Sequence, residues 1–139
     1  MNDVLLAIHF MGLMLGAGGG LGSTIAARYA GTLLPEQVGV VRGLGPWLAR
    51  MSTVGLVLML ASGIALAFVK WGGFGAMPAE FWIKMVFVTT LTLAAIGIEM
   101  SYAQAKAGNA AAAARIPKLG PMAGISSLLA VIFAVLTFH

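Results

Sequence analysis

Charged side chains are scarce in this sequence. Only 9% of its 139 residues are Asp, Glu, Lys or Arg, whereas 60% are hydrophobic and the mean hydropathy is +1.01. A soluble domain carries about 25% charged residues, so this chain cannot cover a water-facing surface. The composition excludes a soluble enzyme, a nucleic-acid-binding protein and a disordered linker. It indicates that the natural solvent is a lipid bilayer.

Two further absences narrow the chemistry and the processing of the chain. The sequence has no cysteine, which excludes disulfides, thiolate metal sites and iron–sulfur clusters. It also has no Lys or Arg before Arg28, whereas a secretory signal begins with a basic region. The first apolar run is therefore expected to stay in the protein as a membrane-spanning helix.

Four apolar runs have the length of a membrane span, about 20 residues for a hydrocarbon core of roughly 30 Å. Backbone polar groups in lipid must be satisfied within the segment, so each run is predicted to be a helix. The predicted fold class is all-α integral membrane, a single four-helix bundle over residues 1–139. The spans are predicted at about 4–27, 48–69, 80–103 and 119–138.

The basic residues predict the orientation of this bundle. The first and third connections lie on one side of the membrane and hold six of the eight cations: Arg28, Arg42, Arg50, Lys106, Arg115 and Lys118. Cytoplasmic loops are the ones enriched in Lys and Arg. We therefore expect an inner-membrane protein with both termini on the outer, periplasmic side. Tryptophans favour the membrane interface, and three fall at predicted span ends: Trp47, Trp71 and Trp82.

Two of the connections contain segments with helical character. Residues 35–42 are predicted to form a short interfacial helix before the break at Gly43, Gly45 and Pro46. Residues 110–114 are all alanine, the strongest helix former, and they are expected to extend a neighbouring helix beyond the membrane surface.

His9 is the most informative single residue. It lies about two turns into the first span, roughly 9 Å beyond Asp3 at about 1.5 Å per residue. Ionisable groups at membrane depth are expensive and are functional candidates by default. Imidazole is also a common protein ligand of heme iron. A metal-ligand role, a proton-transfer role and a buried histidine bonded to a neighbouring helix all remain open.

Lys84 occupies a comparable depth on the third span, about one turn in from Glu80. It is a candidate to face a heme propionate, an anionic substrate or the iron itself. The alternative is snorkelling, in which the stem crosses apolar surface and the ammonium stays in water. Glu80 precedes Lys84 by four residues, an order that favours an ion pair on a helix.

The first span carries glycines four residues apart, at Gly12, Gly16 and Gly20. Small residues at this spacing line one helix face and allow close approach of a neighbouring backbone. Three uses of this face are open: packing within the bundle, a groove at Gly12 and Gly16 that admits a flat cofactor, and contact with a second copy or a larger membrane complex.

Other polar and sulfur-containing residues have simpler explanations. Glu99, near the inner end of the third span, is expected to pair with an arginine such as Arg50, with proton relay as the alternative. Met11 and Met14 follow His9 and suit copper binding, axial ligation of a heme or apolar packing. His139 is a further candidate ligand at the chain end.

The sequence also resembles a known membrane group. The run Leu5-Leu6-Ala7-Ile8-His9-Phe10-Met11-Gly12 resembles the first helix of the small heme-containing protoporphyrinogen oxidases and the related copper-resistance D type domains. Residues 53–66 and the stretch Phe81-Trp82-Ile83-Lys84-Met85 resemble their second and third helices. The resemblance implies a four-helix protein with heme b ligated through His9, Lys84 as a catalytic residue close to the heme or substrate, and electron transfer to a quinone pool.

Three functions follow as hypotheses. The first is a membrane oxidoreductase of this heme-binding group. The second is a non-catalytic accessory or assembly subunit of a larger membrane complex. The third is a small transporter or copper-handling protein.

Overall fold

The computed structural model is all-helical and describes residues 2–75 and 77–138. The helices in chain order are α1 (Asn2–Ala30), α2 (Pro35–Arg42), α3 (Gly45–Trp71), α4 (Ala79–Lys106), α5 (Ala110–Ala113) and α6 (Ile116–Phe138). Four of them, α1, α3, α4 and α6, are long and apolar enough to cross a membrane. The prediction of four long apolar helices is thus confirmed, and each helix includes a few residues beyond the predicted span.

Local sequence signals explain most of the helix ends. α2 begins with Pro35, a residue whose fixed φ suits a first helical turn, and it has the bounds predicted from the sequence. α3 contains Pro46 in its first turn and ends at Trp71; the next residue, Gly72, caps it with a left-handed φ of 68°. Glycine adopts that conformation without steric cost, which makes it a common helix terminator.

The alanine segment forms the short helix α5, which does not continue α4 but lies in one 27-residue apolar helical stretch with α6, Ala110–Leu136. Gly108 has a φ of 97° and separates α4 from α5. The side chain of Asn109 then caps α5 by accepting a hydrogen bond from the Ala112 amide at 3.3 Å. A left-handed glycine followed by an N-cap residue therefore separates the alanines from α4 and starts a new helix.

The four long helices form two tightly packed pairs. α1 packs along α3 and α4 packs along α6, whereas contacts between the two pairs are far fewer. At the α1–α3 crossing, a Cβ added to Gly12 would lie 2.7 Å from the Gly55 carbonyl oxygen. The Ser52 hydroxyl also donates to the Gly16 carbonyl at 2.9 Å. Small residues and an interhelical hydrogen bond are the features that hold helices together in lipid.

The outer surface of the bundle is apolar. Met14 is 74% exposed, Leu21 66% and Leu128 67%, and many other large apolar side chains on the spans are similarly uncovered. Monomeric soluble proteins rarely expose contiguous apolar surface of this extent. The helices therefore present to their surroundings the surface expected of a multi-pass membrane protein.

Candidate functional site

The weak contact between the two helix pairs leaves a cavity of about 620 Å³ at one end of the bundle. Residues near the starts of α1 and α4 and near the ends of α3 and α6 line this cavity, so those four ends lie together. Its lining is mostly apolar, and it includes four ionisable residues: Asp3, His9, Lys70 and Lys84. Ligand sites are typically apolar clefts of about 300–1,000 Å³ with a few polar groups, and this cavity has both properties.

His9 is fixed in the cavity wall by a hydrogen bond to α3. Its Nδ1 lies 3.0 Å from the Ser62 hydroxyl oxygen. That hydroxyl is 2.6 Å from the Leu58 carbonyl oxygen, to which it donates its single hydrogen. Ser62 must then accept from His9, which assigns the proton to Nδ1 and leaves the lone pair on Nε2.

The α3 backbone beside the imidazole is kept clear by a glycine. A Cβ placed on Gly63 would lie 3.3 Å from His9 Cε1 and 3.6 Å from Nδ1. A larger residue would extend further towards the ring and displace it. Ser62 and Gly63 are consecutive, so one turn of α3 both accepts the Nδ1 proton and leaves room for the ring.

Lys84 lines the same cavity from the opposite helix pair. Its Nζ lies 5.0 Å from the centroid of the Phe81 ring, a distance at which an ammonium is attracted to the face of an aromatic ring. The structure therefore brings together two residues, His9 and Lys84, that are 75 positions apart in the sequence. Phe81 is also part of an aromatic cluster, with its ring centroid 6.0 Å from that of Phe74.

Three methionines that the sequence did not single out also line the cavity: Met59, Met77 and Met85. Met11 and Met14, which the sequence did single out, are 59% and 74% exposed on the outer surface of α1. Closeness to His9 along the sequence was misleading because neighbouring residues on a helix point in different directions. Identifying the methionines that line the cavity requires knowing which helices face each other.

The glycine face of α1 lies against α3 in the same chain. Gly12 and Gly16 contact the α3 backbone around Gly55, and neither lines the cavity in the described structure. The groove predicted to admit a flat cofactor at Gly12 and Gly16 is therefore occupied by α3. A Cβ on Gly20 would meet nothing within 4 Å. Contact of this face with a second chain stays a prediction.

The partner of the Glu99 carboxylate differs from the predicted one. The Thr53 hydroxyl donates to its carboxylate at 2.9 Å across the α3–α4 contact. Among the described residues, no arginine nitrogen lies within 4.0 Å of this carboxylate. The expected Glu99–arginine pair is wrong because the carboxylate reaches inward to Thr53, whereas Arg50 is exposed. His139, the remaining candidate, lies outside the described residues.

Comparisons with known proteins add no assignment: no family profile, curated protein or solved structure matches this chain. The resemblance to the heme-containing oxidases therefore stays a prediction from the sequence. The donor set can still be tested against a heme. A neutral imidazole that donates its Nδ1–H to a neighbour and carries its lone pair on Nε2 is the arrangement that metal-ligating histidines adopt. The residues present fit the group, with His9 as ligand.

Proposed function

We propose that this protein binds a b-type heme in the cavity between its helix pairs, with His9 Nε2 as the iron ligand. The observation that carries the proposal is the His9–Ser62 hydrogen bond, which orients the imidazole and leaves the lone pair on Nε2. A histidine bonded only for structural reasons needs no cavity beside it. Here the ring borders a space of about 620 Å³, within the range of ligand sites.

The other lining residues suit the rest of such a ligand. Lys84 brings a positive charge into a mostly apolar wall, where it can pair with a propionate or with an anionic substrate. When bound, the heme would supply one-electron chemistry, the basis for electron transfer or oxidation linked to a quinone pool. In this proposal Lys84 positions the acidic group and acts in catalysis, and the apolar residues keep water away from the site.

The proposed orientation places the cavity on the periplasmic side of the inner membrane. It rests on the six cations of the first and third connections, which the positive-inside rule assigns to the cytoplasm. The cavity lies at the opposite end, where α1 begins and α6 ends. Exchange with a quinone in the bilayer would then take place towards the outer leaflet.

An optical spectrum of the purified protein tests the proposal. Protein made in heme-replete cells should show a Soret band, and His9→Ala should lose it. His139→Ala is the matched control, because it removes the only other histidine in the chain, and it should keep the band. Wild-type protein without a Soret band, or a band unchanged in His9→Ala, would refute the assignment.

A pair of serine variants tests the orienting hydrogen bond. Ser62 and Ser101 are equally buried, each 3% exposed, and each donates to the carbonyl four residues earlier, at 2.6 and 2.7 Å. Only Ser62 contacts His9. Loss of a group that orients a metal ligand typically costs about 10–100-fold in affinity. Ser62→Ala should therefore weaken heme binding by this factor, whereas Ser101→Ala should not; equal effects would exclude an orienting role.

The methionines favour copper binding as a second candidate function. Thioether and imidazole groups suit Cu(I), and His9 shares the cavity with Met59 and Met85. If copper is the ligand, purified protein should retain it, and Met59→Leu with Met85→Leu should release it. Heme binding predicts that the same double variant keeps its Soret band. Protein that retains no copper when loaded with Cu(I) would eliminate this candidate.

A further inference from the structure

A second cavity, of about 440 Å³, lies at the end of the bundle opposite the His9 cavity. It is enclosed by the end of α2, the first turns of α3 and the last turns of α4. Its polar lining consists of Arg42, Arg50, Glu99, Tyr102 and Lys106. We call it the basic pocket. It shares no lining residue with the His9 cavity, so what it binds is independent of the proposed heme site.

The lining of the basic pocket has an excess of positive charge. It holds three cations and a single carboxylate, and that carboxylate, on Glu99, already accepts a hydrogen bond from Thr53. Across the described parts of the chain, no carboxylate oxygen lies within 4.0 Å of a nitrogen of Arg42, Arg50 or Lys106. Three cations therefore converge on one cavity without ion pairs of their own to neutralise them.

A tyrosine adds a neutral hydrogen-bond donor. Tyr102 packs against the start of α3, where a Cβ added to Gly45 would lie 2.5 Å from its hydroxyl oxygen. Only glycine at this position allows the phenol to approach the α3 backbone. No hydrogen bond to another described residue uses the Tyr102 hydroxyl. It is thus held beside the cations with its donor capacity available.

The depth of the basic pocket matches that of lipid headgroups. Trp47 follows the pocket residue Pro46 and is 73% exposed at the first turn of α3. Indole rings in membrane proteins concentrate at the level of the headgroups. α2, which ends at Arg42, connects α1 to α3 at this end of the bundle. The pocket is therefore placed where phosphate groups are abundant.

We propose that the basic pocket binds a phosphate-bearing anion, either the headgroup of an anionic lipid or a soluble phosphate. The planar guanidinium groups of Arg42 and Arg50 match the geometry of phosphate oxygens. Lys106 adds charge and the Tyr102 hydroxyl adds a neutral donor. Basic pockets between membrane helices are known to bind acidic lipid headgroups.

Calorimetric titration of the detergent-solubilised full chain tests the proposal and separates the two sources. The probes are short-chain phosphatidylglycerol, phosphatidylcholine of the same chain length, and inorganic phosphate. Phosphatidylglycerol should bind more tightly than phosphatidylcholine if the ligand is a lipid headgroup. Saturable binding of inorganic phosphate identifies a soluble phosphate instead. Both results support the pocket, and wild-type protein that binds neither phosphatidylglycerol preferentially nor inorganic phosphate overturns it.

The control variants distinguish a built pocket from general attraction to a basic surface. Arg42→Gln with Arg50→Gln should weaken binding by about tenfold or more, the equivalent of at least one lost charge-assisted hydrogen bond. Arg115→Gln with Lys118→Gln removes the same charge from the same end outside the pocket and should leave affinity within about twofold. All four side chains are exposed, so both double variants should keep the fold. Lys106→Gln should weaken binding to the basic pocket on its own, as an independent single-site test. Equal weakening by the two double variants overturns the proposal.

Discussion

Replacing Gly55 with alanine tests the helix pairing on which the cavity depends. A Cβ at Gly55 would lie 2.5 Å from the Gly12 carbonyl oxygen and 2.9 Å from the Gly16 Cα, and it would also overlap the Gly16 nitrogen. All three atoms belong to the α1 backbone, so no side-chain rotation relieves the overlap. α1 has to move away from α3, and the Ser52–Gly16 hydrogen bond, now 2.9 Å, has to lengthen.

The magnitude follows from these two losses. Overpacking a well-packed contact costs about 1–3 kcal/mol, and a hydrogen bond contributes about 1 kcal/mol net. Alanine regains about 0.5–1 kcal/mol because it is a better helix former than glycine. Gly20→Ala is the matched control, since its Cβ meets nothing within 4 Å and it has the same propensity gain. We expect Gly55→Ala to be less stable than Gly20→Ala by about 2–4 kcal/mol.

Reversible unfolding in mixed micelles, followed by helical circular dichroism, measures this difference. The comparison between two alanine variants of one protein cancels the propensity term and most detergent effects. Gly55→Ala should also weaken ligand binding at His9, because His9 and Gly12 lie on the same helix. If Gly55→Ala is as stable as Gly20→Ala, α1 does not cross α3 at these glycines and the cavity geometry is wrong.

Two further comparisons test individual residues of the account. Lys84→Met should lower heme affinity by about 10–100-fold through loss of a charge-assisted bond, with little effect on the affinity for the heme dimethyl ester. Lys118→Met, at the other end of the bundle, should change neither affinity. An equal loss of affinity for the ester would exclude pairing with a propionate. Thr53→Val should reduce the free energy of unfolding by about 1–3 kcal/mol, because it leaves the half-buried Glu99 carboxylate without its partner. The matched variant Thr24→Val removes an exposed hydroxyl that bonds only within its own helix, and its free energy of unfolding should stay within about 0.5 kcal/mol of wild type. Similar free energies of unfolding for the two variants would show that the Thr53–Glu99 bond contributes nothing.

The spans were predictable because a bilayer imposes one strong constraint. A run of about 20 apolar residues in lipid has to be helical to satisfy its own backbone, and this requirement does not depend on neighbouring helices. The short helix at Pro35–Arg42 was predictable for a local reason as well, since proline starts it and Gly43 follows it. At the same local level, the left-handed Gly108 separates the alanine segment from α4, and the segment leads into α6 instead.

The pairing of the helices could not be read from the sequence. The spacing of Gly12 and Gly16 indicates a close neighbour, but nothing in it identifies α3 as that neighbour. His9 was found because an ionisable residue at membrane depth is rare and costly. Its partner Ser62 was missed, since serine is inexpensive in a membrane helix, where it bonds to its own backbone. The predicted pairing of Glu99 with an arginine was wrong for a related reason. Residues at the same depth on different spans need not contact each other, and the sequence does not specify which of them do.

The most direct test of the central claim is a heme titration of His9→Gly in the presence and absence of imidazole. If His9 Nε2 ligates the iron, wild-type protein should bind heme and develop a Soret band, and His9→Gly should fail to do so. Free imidazole should enter the space left by the missing side chain and restore the band, with half-saturation at a defined imidazole concentration. A band of wild-type intensity in His9→Gly without imidazole would contradict ligation by His9.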